Sequence, residues 1–172
     1  MINSEVKENK EMYIFSYGSN MTIRRLLERG LKPTATVGVG HIDHWRIRFN
    51  KKSYENPEIG FANIEPFWGD RVYGVIFGVR EEDIIKLDRF EGYPKHYQKT
   101  LLPITWQSGS ELVTYNCVTY TANRRWTTSK PLMVTEDYRK YIDMGMREHL
   151  SKEPFANTYM SSVYALMENN NG

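Results

Sequence analysis

The stretch Met12-Tyr13-Ile14-Phe15-Ser16-Tyr17-Gly18-Ser19-Asn20-Met21 changes character in its middle. Its first half, rich in aromatic and β-branched residues, is typical of a half-buried strand. Gly18 permits a sharp turn, and Asn20 is a good N-cap for a helix predicted over residues 21–29, with Gly30 as its stop signal. We therefore expect a strand, a tight turn and a helix in immediate succession.

This order directs the backbone N–H groups around Gly18 and Ser19 towards a helix N-terminus. Oriented amides and the helix dipole together attract an anion there, and a carboxylate is the natural ligand. An ordinary tight turn between a strand and a helix has the same spacing. The stretch alone leaves both interpretations open.

The length of 172 residues fits one domain that can bury a core without disulfides or metal ions. Residues 3–11 are almost wholly polar. We interpret residues 1–11 as a disordered N-terminal tail and residues 12–168 as a single domain, because no linker and no internal repeat interrupts the latter.

Composition limits which binding partners and which cellular compartment we expect. Lys and Arg exceed Asp and Glu only slightly, by 23 to 21, and no dense basic block occurs, so nucleic acid is not an expected partner. No apolar run is long enough to cross a membrane, and the N-terminus lacks a secretory signal pattern. The lone Cys117 cannot form an internal disulfide. These features favour a soluble protein of the cytoplasm.

The hydrophobic pattern predicts about six or seven strands and four helices. The strands do not alternate regularly with helices, so an α+β fold with a curled sheet is favoured over a doubly wound fold. Residues 51–70 contain two prolines and two glycines and are predicted to be the loosest segment. Strands are predicted at 34–50, 61–64, 71–79, 97–106 and 111–122, and helices at 81–91, 136–149 and 154–167, in addition to the opening strand and helix.

The helix at 81–91 carries the best candidate for chemistry. Ile84, Leu87 and Glu91 are spaced by three and then four residues, so they share one helix face and Glu91 points inward. The apolar surroundings and the negative end of the helix dipole both oppose a charge on that carboxyl group. Such a group suits a reaction in which a proton is first accepted and then returned.

A structural explanation of Glu91 stays equally open. The carboxylate could pair with Lys95, Arg89 or a distant cation. Asp88 is a rival catalytic carboxylate, or a structural partner for another group.

No metal site is expected. His41 and His44 are three residues apart in a predicted strand, which places them on opposite faces. Cys117 lies in the middle of a predicted strand without a neighbouring cation, which is typical of a small buried side chain.

Three motifs in order resemble the γ-glutamylcyclotransferase family. They are Phe15-Ser16-Tyr17-Gly18-Ser19-Asn20-Met21; Val72-Tyr73-Gly74-Val75-Ile76-Phe77 followed by Leu87-Asp88-Arg89-Phe90-Glu91-Gly92-Tyr93; and Tyr138-Arg139-Lys140-Tyr141-Ile142-Asp143-Met144-Gly145. The resemblance spans about residues 12–160. It implies a small mixed β-barrel flanked by helices.

The resemblance also implies an activity and its residues. Enzymes of the family cleave a γ-glutamyl amide without water, the α-amine attacking the γ-carbonyl to give 5-oxoproline and a free amine, with no metal and no cofactor. The family's catalytic glutamate falls on Glu91. Its substrate-binding residues fall on Tyr17, Gly18, Ser19, Asn20, Tyr120 and Tyr138, with Tyr97 as a weaker match. The implied partner is a small γ-glutamyl substrate, and the oligomeric state stays open, a homodimer included.

The leaving group is not defined by these motifs. Gly92-Tyr93-Pro94 resembles the branch that acts on γ-glutamylamines as much as the branch that acts on γ-glutamyl amino acids. Residues 51–70 and 123–131 are the expected loops for this choice. Two other functions remain: a catalytically silent module that binds a small carboxylate or a protein, and a hydrolase in which Glu91 activates water.

Overall fold

The computed structural model describes residues 10–169. In that part of the chain five strands close into a barrel with the spatial order β1-β3-β2-β4-β5, accompanied by four α-helices. The strands are β1 Glu11–Ser16, β2 Ala35–Lys52, β3 Gly60–Arg80, β4 Tyr97–Ser108 and β5 Glu111–Ala122. The helices are α1 Ile23–Glu28, α2 Glu81–Glu91, α3 Glu136–His149 and α4 Ala156–Asn169, and short 3₁₀ helices cover Ser19–Met21 and Arg124–Trp126.

The barrel is of mixed type. β1 pairs antiparallel with β3 along its length and parallel with β5 at Ile14 and Val118, and the remaining pairs are antiparallel. Because β3 lies between β1 and β2, its residues Val72, Val75 and Ile76 are completely buried. The predicted α+β fold, a small curled mixed barrel with flanking helices, is confirmed.

The predicted strands at 61–64 and 71–79 belong to one long strand, β3. The prediction that residues 51–70 form the loosest segment is therefore wrong for most of its length, since the loop between β2 and β3 covers only residues 53–59. Merging these two segments also explains why the strands number five rather than six or seven in the range 10–169.

Pro66 and Gly69 mark a bulge rather than a loop. Asp43 pairs with Arg71 and Trp45 pairs with Pro66, so residues 67–70 of β3 stand opposite a single residue of β2, His44. His44 and Gly69 have positive φ angles of 62° and 91°, as a sharp local bend requires. Proline and glycine are tolerated here because the strand ladder is already interrupted.

The predicted start of the first helix is wrong. α1 begins at Ile23 with Thr22 as the N-cap residue, and Asn20 lies in the preceding 3₁₀ helix without capping α1. Tertiary contacts decide this geometry, because Met21 is buried against α3 and the Thr22 hydroxyl donates a hydrogen bond of 2.7 Å to Glu148 of that helix.

The later elements follow the sequence pattern closely. α2 ends at Gly92, which adopts the left-handed conformation with φ 63°. The hairpin of β4 and β5 turns at residues 109–110, and the Thr135 hydroxyl caps α3 by accepting a hydrogen bond from the Tyr138 N–H. Each of these ends carries a strong local signal.

The N-terminal tail and the domain bounds remain predictions. Residues 1–9 of the predicted tail and residues 170–172 lie outside the described residues, and β1 already begins at Glu11. Over residues 10–169, none of the helices has the length and apolar character needed to cross a membrane.

Candidate active site

A cavity of about 400 Å³ lies where the loop after β1 meets the C-terminal end of α2. All the residues predicted from the sequence as site residues line it. They are Tyr17, Gly18, Ser19, Asn20, Glu91, Tyr120 and Tyr138, and Tyr97 lines it as well. The fold thus gathers residues from β1, α2, β4, β5 and α3 around one space.

Glu91 reaches this cavity as the last residue of α2. Ile84 and Leu87, on the same helix face, are 6% and 1% exposed, so the face packs onto the barrel as predicted. Gly92 ends the helix immediately afterwards, which leaves the Glu91 side chain at the boundary between core and cavity.

The Glu91 carboxylate is held by two partners from the segment after β1. Its Oε1 atom accepts a hydrogen bond of 2.8 Å from the Asn20 amide and one of 3.1 Å from the Arg29 guanidinium. Arg29 also donates to the Asn20 amide oxygen at 3.1 Å, so the three side chains form a closed triangle. The Arg29 and Glu91 side chains are only 11% and 14% exposed.

The distant cation that pairs with Glu91 is Arg29, which could not be identified from the sequence. The expectation that the surroundings of Glu91 oppose a charge took no account of this guanidinium, which lies 3.1 Å from the carboxylate. The role expected for Asn20 is also corrected, because its side chain orients Glu91 rather than capping a helix.

The loop at residues 17–20 offers unused donors. Neither the Ser19 nor the Asn20 backbone N–H donates a hydrogen bond to any of residues 10–169, while the Met21 N–H closes the 3₁₀ turn on Gly18 at 3.1 Å. Gly18 has negative φ, and a side chain there would lie 3.0 Å from the Ala62 Cβ atom. A side chain at residue 18 would therefore crowd Ala62 of β3, and the free amides of Ser19 and Asn20 border the cavity.

Four tyrosines fix the cavity wall through backbone contacts. Tyr17 donates to the Tyr120 carbonyl at 2.5 Å, and Tyr97 donates to the Ala62 carbonyl at 2.8 Å. The Tyr138 oxygen accepts from the Ala62 N–H at 3.0 Å. These bonds join β1, β3, β4, β5 and α3 at one place.

The phenols are neutral around pH 7. Burial raises the pKa of Tyr138 to about 12 and raises the pKa of Tyr17 well above its ordinary value. The nearby Glu91 carboxylate raises both further. Protonated phenols can position or donate, but they cannot accept a proton from an ammonium group.

Asp88 proves to be a structural partner. One oxygen accepts a bond of 2.6 Å from the Tyr120 phenol, and the other accepts one of 2.8 Å from the Lys99 ammonium. Asp88 does not line the cavity. It holds Tyr120 in place from behind, so of the two carboxylates considered from the sequence, Asp88 and Glu91, only Glu91 lines the cavity.

Lys51, at the end of β2, lies on the same cavity but was not predicted as a site residue. It is only 5% exposed, and its ammonium lies 3.0 Å from the Nδ1 atom of His96. Burial lowers the pKa of Lys51 to about 8, against an opposing effect of Glu91. Burial also lowers the pKa of His96, and the charge of Lys51 lowers it further.

The described residues contain no group of three or more His, Cys, Asp or Glu side chains arranged to hold a metal ion. Cys117 is buried, and burial raises the pKa of its thiol to about 12. The candidates for chemistry are therefore the ionisable groups that border the cavity.

The closed mixed barrel holds a shielded glutamate and free backbone donors in one cavity. This combination is typical of enzymes that act on small molecules. The chain belongs to the family described as gamma-glutamyl cyclotransferase, AIG2-like, whose model matches residues 14–140.

Individual relatives agree with this assignment. The chain is 26% identical over 148 residues to gamma-glutamylcyclotransferase from Bos taurus, which covers 83% of this chain and 74% of the relative. Its fold is similar to that of an uncharacterized human protein, with a TM-score of 0.69, 25% identity and coverage of 86% and 85% of the two chains. It is also similar to a solved gamma-glutamyl cyclotransferase, with a TM-score of 0.70, 24% identity and coverage of 87% and 86%. Family and relative support a function of the γ-glutamyl cyclotransferase type.

Proposed function

We propose that the protein cleaves a γ-glutamyl amide by intramolecular cyclisation. The α-amine of the glutamyl group attacks its γ-carbonyl carbon, a new C–N bond closes the five-membered ring, and the original amide C–N bond breaks. The products are 5-oxoproline and a free amine or amino acid. The observation that carries this proposal is that Glu91 and the free amides of the loop at residues 17–20 border one cavity.

Glu91 is the proposed acid and base. Its carboxylate accepts a proton from the α-ammonium as the nitrogen attacks, and it returns a proton to the departing nitrogen. Arg29 donates a hydrogen bond to this carboxylate and forms an ion pair with it at 3.1 Å. Asn20 and Arg29 both bond to Oε1, so the other oxygen of Glu91 is left for the substrate.

The loop amides are the proposed anion site. The free N–H groups of Ser19 and Asn20 suit the α-carboxylate of the glutamyl group or the oxyanion that develops at the γ-carbonyl. Tyr17, Tyr120 and Tyr138 fix the wall against which the glutamyl chain folds back. Gly18 allows the loop to lie close enough to β3 for this arrangement.

Holding both ends of one molecule in a ring-closing pose lowers the barrier without further chemistry. Well-oriented intramolecular reactions gain roughly 7–11 kcal/mol in this way. The proposed reaction accordingly requires only the substrate's own amine and the side chains of this cavity, and we expect it to proceed in the cytoplasm without a cofactor.

Product identity is the decisive measurement. The protein is incubated in H₂¹⁸O with a γ-glutamyl amino acid, a γ-glutamylamine and glutathione, and the products are identified by mass spectrometry. Cyclisation gives 5-oxoproline without ¹⁸O, whereas a hydrolase gives glutamate that carries one ¹⁸O atom. A silent binding module gives neither product, although calorimetry would still detect binding. Labelled glutamate or unchanged substrate in every reaction would overturn the proposal.

A further inference from the structure

Lys51 is a buried ammonium without a carboxylate partner. The ion pairs formed within residues 10–169 include none with Lys51. Its polar contact is the ring of His96, and its other neighbours are the aromatic faces of Phe61, Tyr97 and Trp126, with centroids at 5.6, 5.5 and 5.4 Å. A charge shielded in this way is unfavourable until a counter-ion reaches it.

Two of the cations that line the cavity therefore differ. Arg29 is neutralised by Glu91 at 3.1 Å, whereas Lys51 has no such partner in the described chain. The backbone of Lys51 is fixed on both sides, since it pairs with Phe61 of β3 and bridges to Thr127. A strand fixed by pairing thus holds an ammonium beside the cavity, where the Glu91 carboxylate attracts it but forms no ion pair with it.

Within residues 10–169, the hydrogen bond of the Lys51 ammonium goes to His96 and not to the residues of the proposed glutamyl site. The contacts that link it to the loop at residues 17–20 run through two aromatic rings, because Lys51 packs on Phe61 and Phe61 packs edge-on against Tyr138 with centroids 4.9 Å apart. On its other side lie His96 and Trp126, with Tyr54 at 5.9 and 6.1 Å from their rings. Tyr54 is 71% exposed, which places this side towards the cavity mouth.

Building on the proposed function, we propose that Lys51 binds an anionic group on the leaving half of the substrate. The protein would then select γ-glutamyl conjugates whose leaving amine carries a carboxylate or a comparable anion over conjugates of simple, uncharged amines. The aromatic rings around Lys51 exclude water from this contact and strengthen it.

Two substrates that differ by one group test this selection. γ-Glutamyl-alanine and γ-glutamyl-alaninamide share the glutamyl half and the shape of the leaving half, but only the first carries a leaving-group carboxylate. At pH 7 we expect kcat/KM to favour the alanine conjugate by roughly 10- to 100-fold, the range of a charged hydrogen bond. Lys51→Met should remove most of that preference by slowing only the alanine conjugate, and Lys51→Arg should retain part of it.

Lys52→Met is the matched control, because Lys52 is adjacent in sequence and does not line the cavity. It should leave both substrates unchanged. An equal loss on both substrates with Lys51→Met would mean that Lys51 serves the shared glutamyl half or the fold, and the inference would be wrong. The inference would also fail if the parent protein showed no preference.

Failure of the proposed function looks different. If neither conjugate yields 5-oxoproline, calorimetry on the parent protein and on Lys51→Met still measures binding of the two conjugates. A preference for the alanine conjugate that depends on Lys51 would uphold anion binding without turnover. Equal affinities in both proteins would overturn it.

Discussion

Two depressions of similar size within residues 10–169 differ in how far their charged side chains are exposed to solvent. The active-site cavity measures about 400 Å³, and a second depression of about 520 Å³ lies between β2 and α4. Each has four basic residues on its wall, and those of the second are Arg46, Arg48, Arg71 and Lys130. Size and the number of basic residues alone would therefore not identify the active site.

The two depressions differ in how deeply their charged side chains are buried. Arg46 and Arg48 pair with Glu65 at 2.7 and 3.3 Å, and these side chains are about 30% exposed, where solvent screens the interaction. The Arg29–Glu91 pair is more than 85% buried, and Lys51 is buried without a carboxylate. Exposed pairs contribute little to stability or chemistry, whereas a shielded carboxylate and a shielded ammonium interact strongly with any ligand that displaces water.

A Glu→Gln substitution at the active-site cavity, compared with one at the second depression, should give the largest difference in turnover. Glu91→Gln removes the proton acceptor but keeps an oxygen for the hydrogen bonds from Asn20 and Arg29, so we expect a folded protein whose kcat falls by roughly 10²- to 10⁴-fold. Release of 5-oxoproline measures the rate, and circular dichroism measures the fold.

Glu65→Gln is the control beside the second depression, because Glu65 pairs with Arg46 and Arg48 on its wall. It weakens two exposed ion pairs, so turnover and Tm should stay close to those of the parent protein. Wild-type turnover by Glu91→Gln would remove Glu91 from the mechanism, and an equal loss in both variants would erase the contrast between the two depressions.

A smaller effect is expected where α3 supports the loop of the cavity. A Cβ atom on Gly145 would lie 2.5 Å from the Met21 Cβ atom and 2.9 Å from the Thr22 backbone nitrogen. Gly145→Ala gains about 1 kcal/mol in helix propensity, but backbone atoms cannot yield as a flexible side chain would. We expect a net loss of about 1–3 kcal/mol, seen as a Tm lower by several degrees, together with reduced turnover.

Lys140→Ala, on the solvent side of α3, is the control for an alanine in the same helix that does not meet the loop of the cavity. It should leave both Tm and turnover nearly unchanged, because Lys140 is exposed. A Gly145→Ala protein as stable as the parent would show that the 3₁₀ helix at residues 19–21 can shift without cost. The close packing of α3 would then not position Asn20.

Local sequence patterns were sufficient to predict the parts of the site that are formed by residues close together in the chain. The spacing of Ile84, Leu87 and Glu91 predicted which face of α2 is buried, and the strand followed by Gly18 predicted where backbone amides become free. Both inferences depend only on residues a few positions apart. The resemblance then supplied Tyr120 of β5 and Tyr138 of α3, whose presence on the cavity no periodicity could have indicated.

Pairings across the barrel could not be predicted. Arg29 meets Glu91 over 62 residues of sequence, and Lys51 meets His96 over 45. Each pairing depends on which strands are neighbours, and the misassigned segment at 51–70 hid the true course of β2 and β3. A signal for Lys51 existed in retrospect: a lysine that continues the alternation of a buried strand is unusual.

The smallest predicted effect uses pH to separate Lys51 from every other cation. kcat/KM reports ionisations of the free enzyme, and both alanine conjugates share the same α-amine, so their ratio cancels Glu91 and the substrate. Lys51 has a pKa lowered to about 8, so it loses its proton as the pH rises through 8 and can no longer attract an anion. The preference for γ-glutamyl-alanine should then decline by about tenfold between pH 7 and 9.

His96 has a lowered pKa and is already neutral in this range, so it cannot cause the change. In Lys51→Arg, where the guanidinium stays charged, the remaining preference should be independent of pH. A decline of equal size in that variant would assign the titration to another group and detach Lys51 from substrate selection.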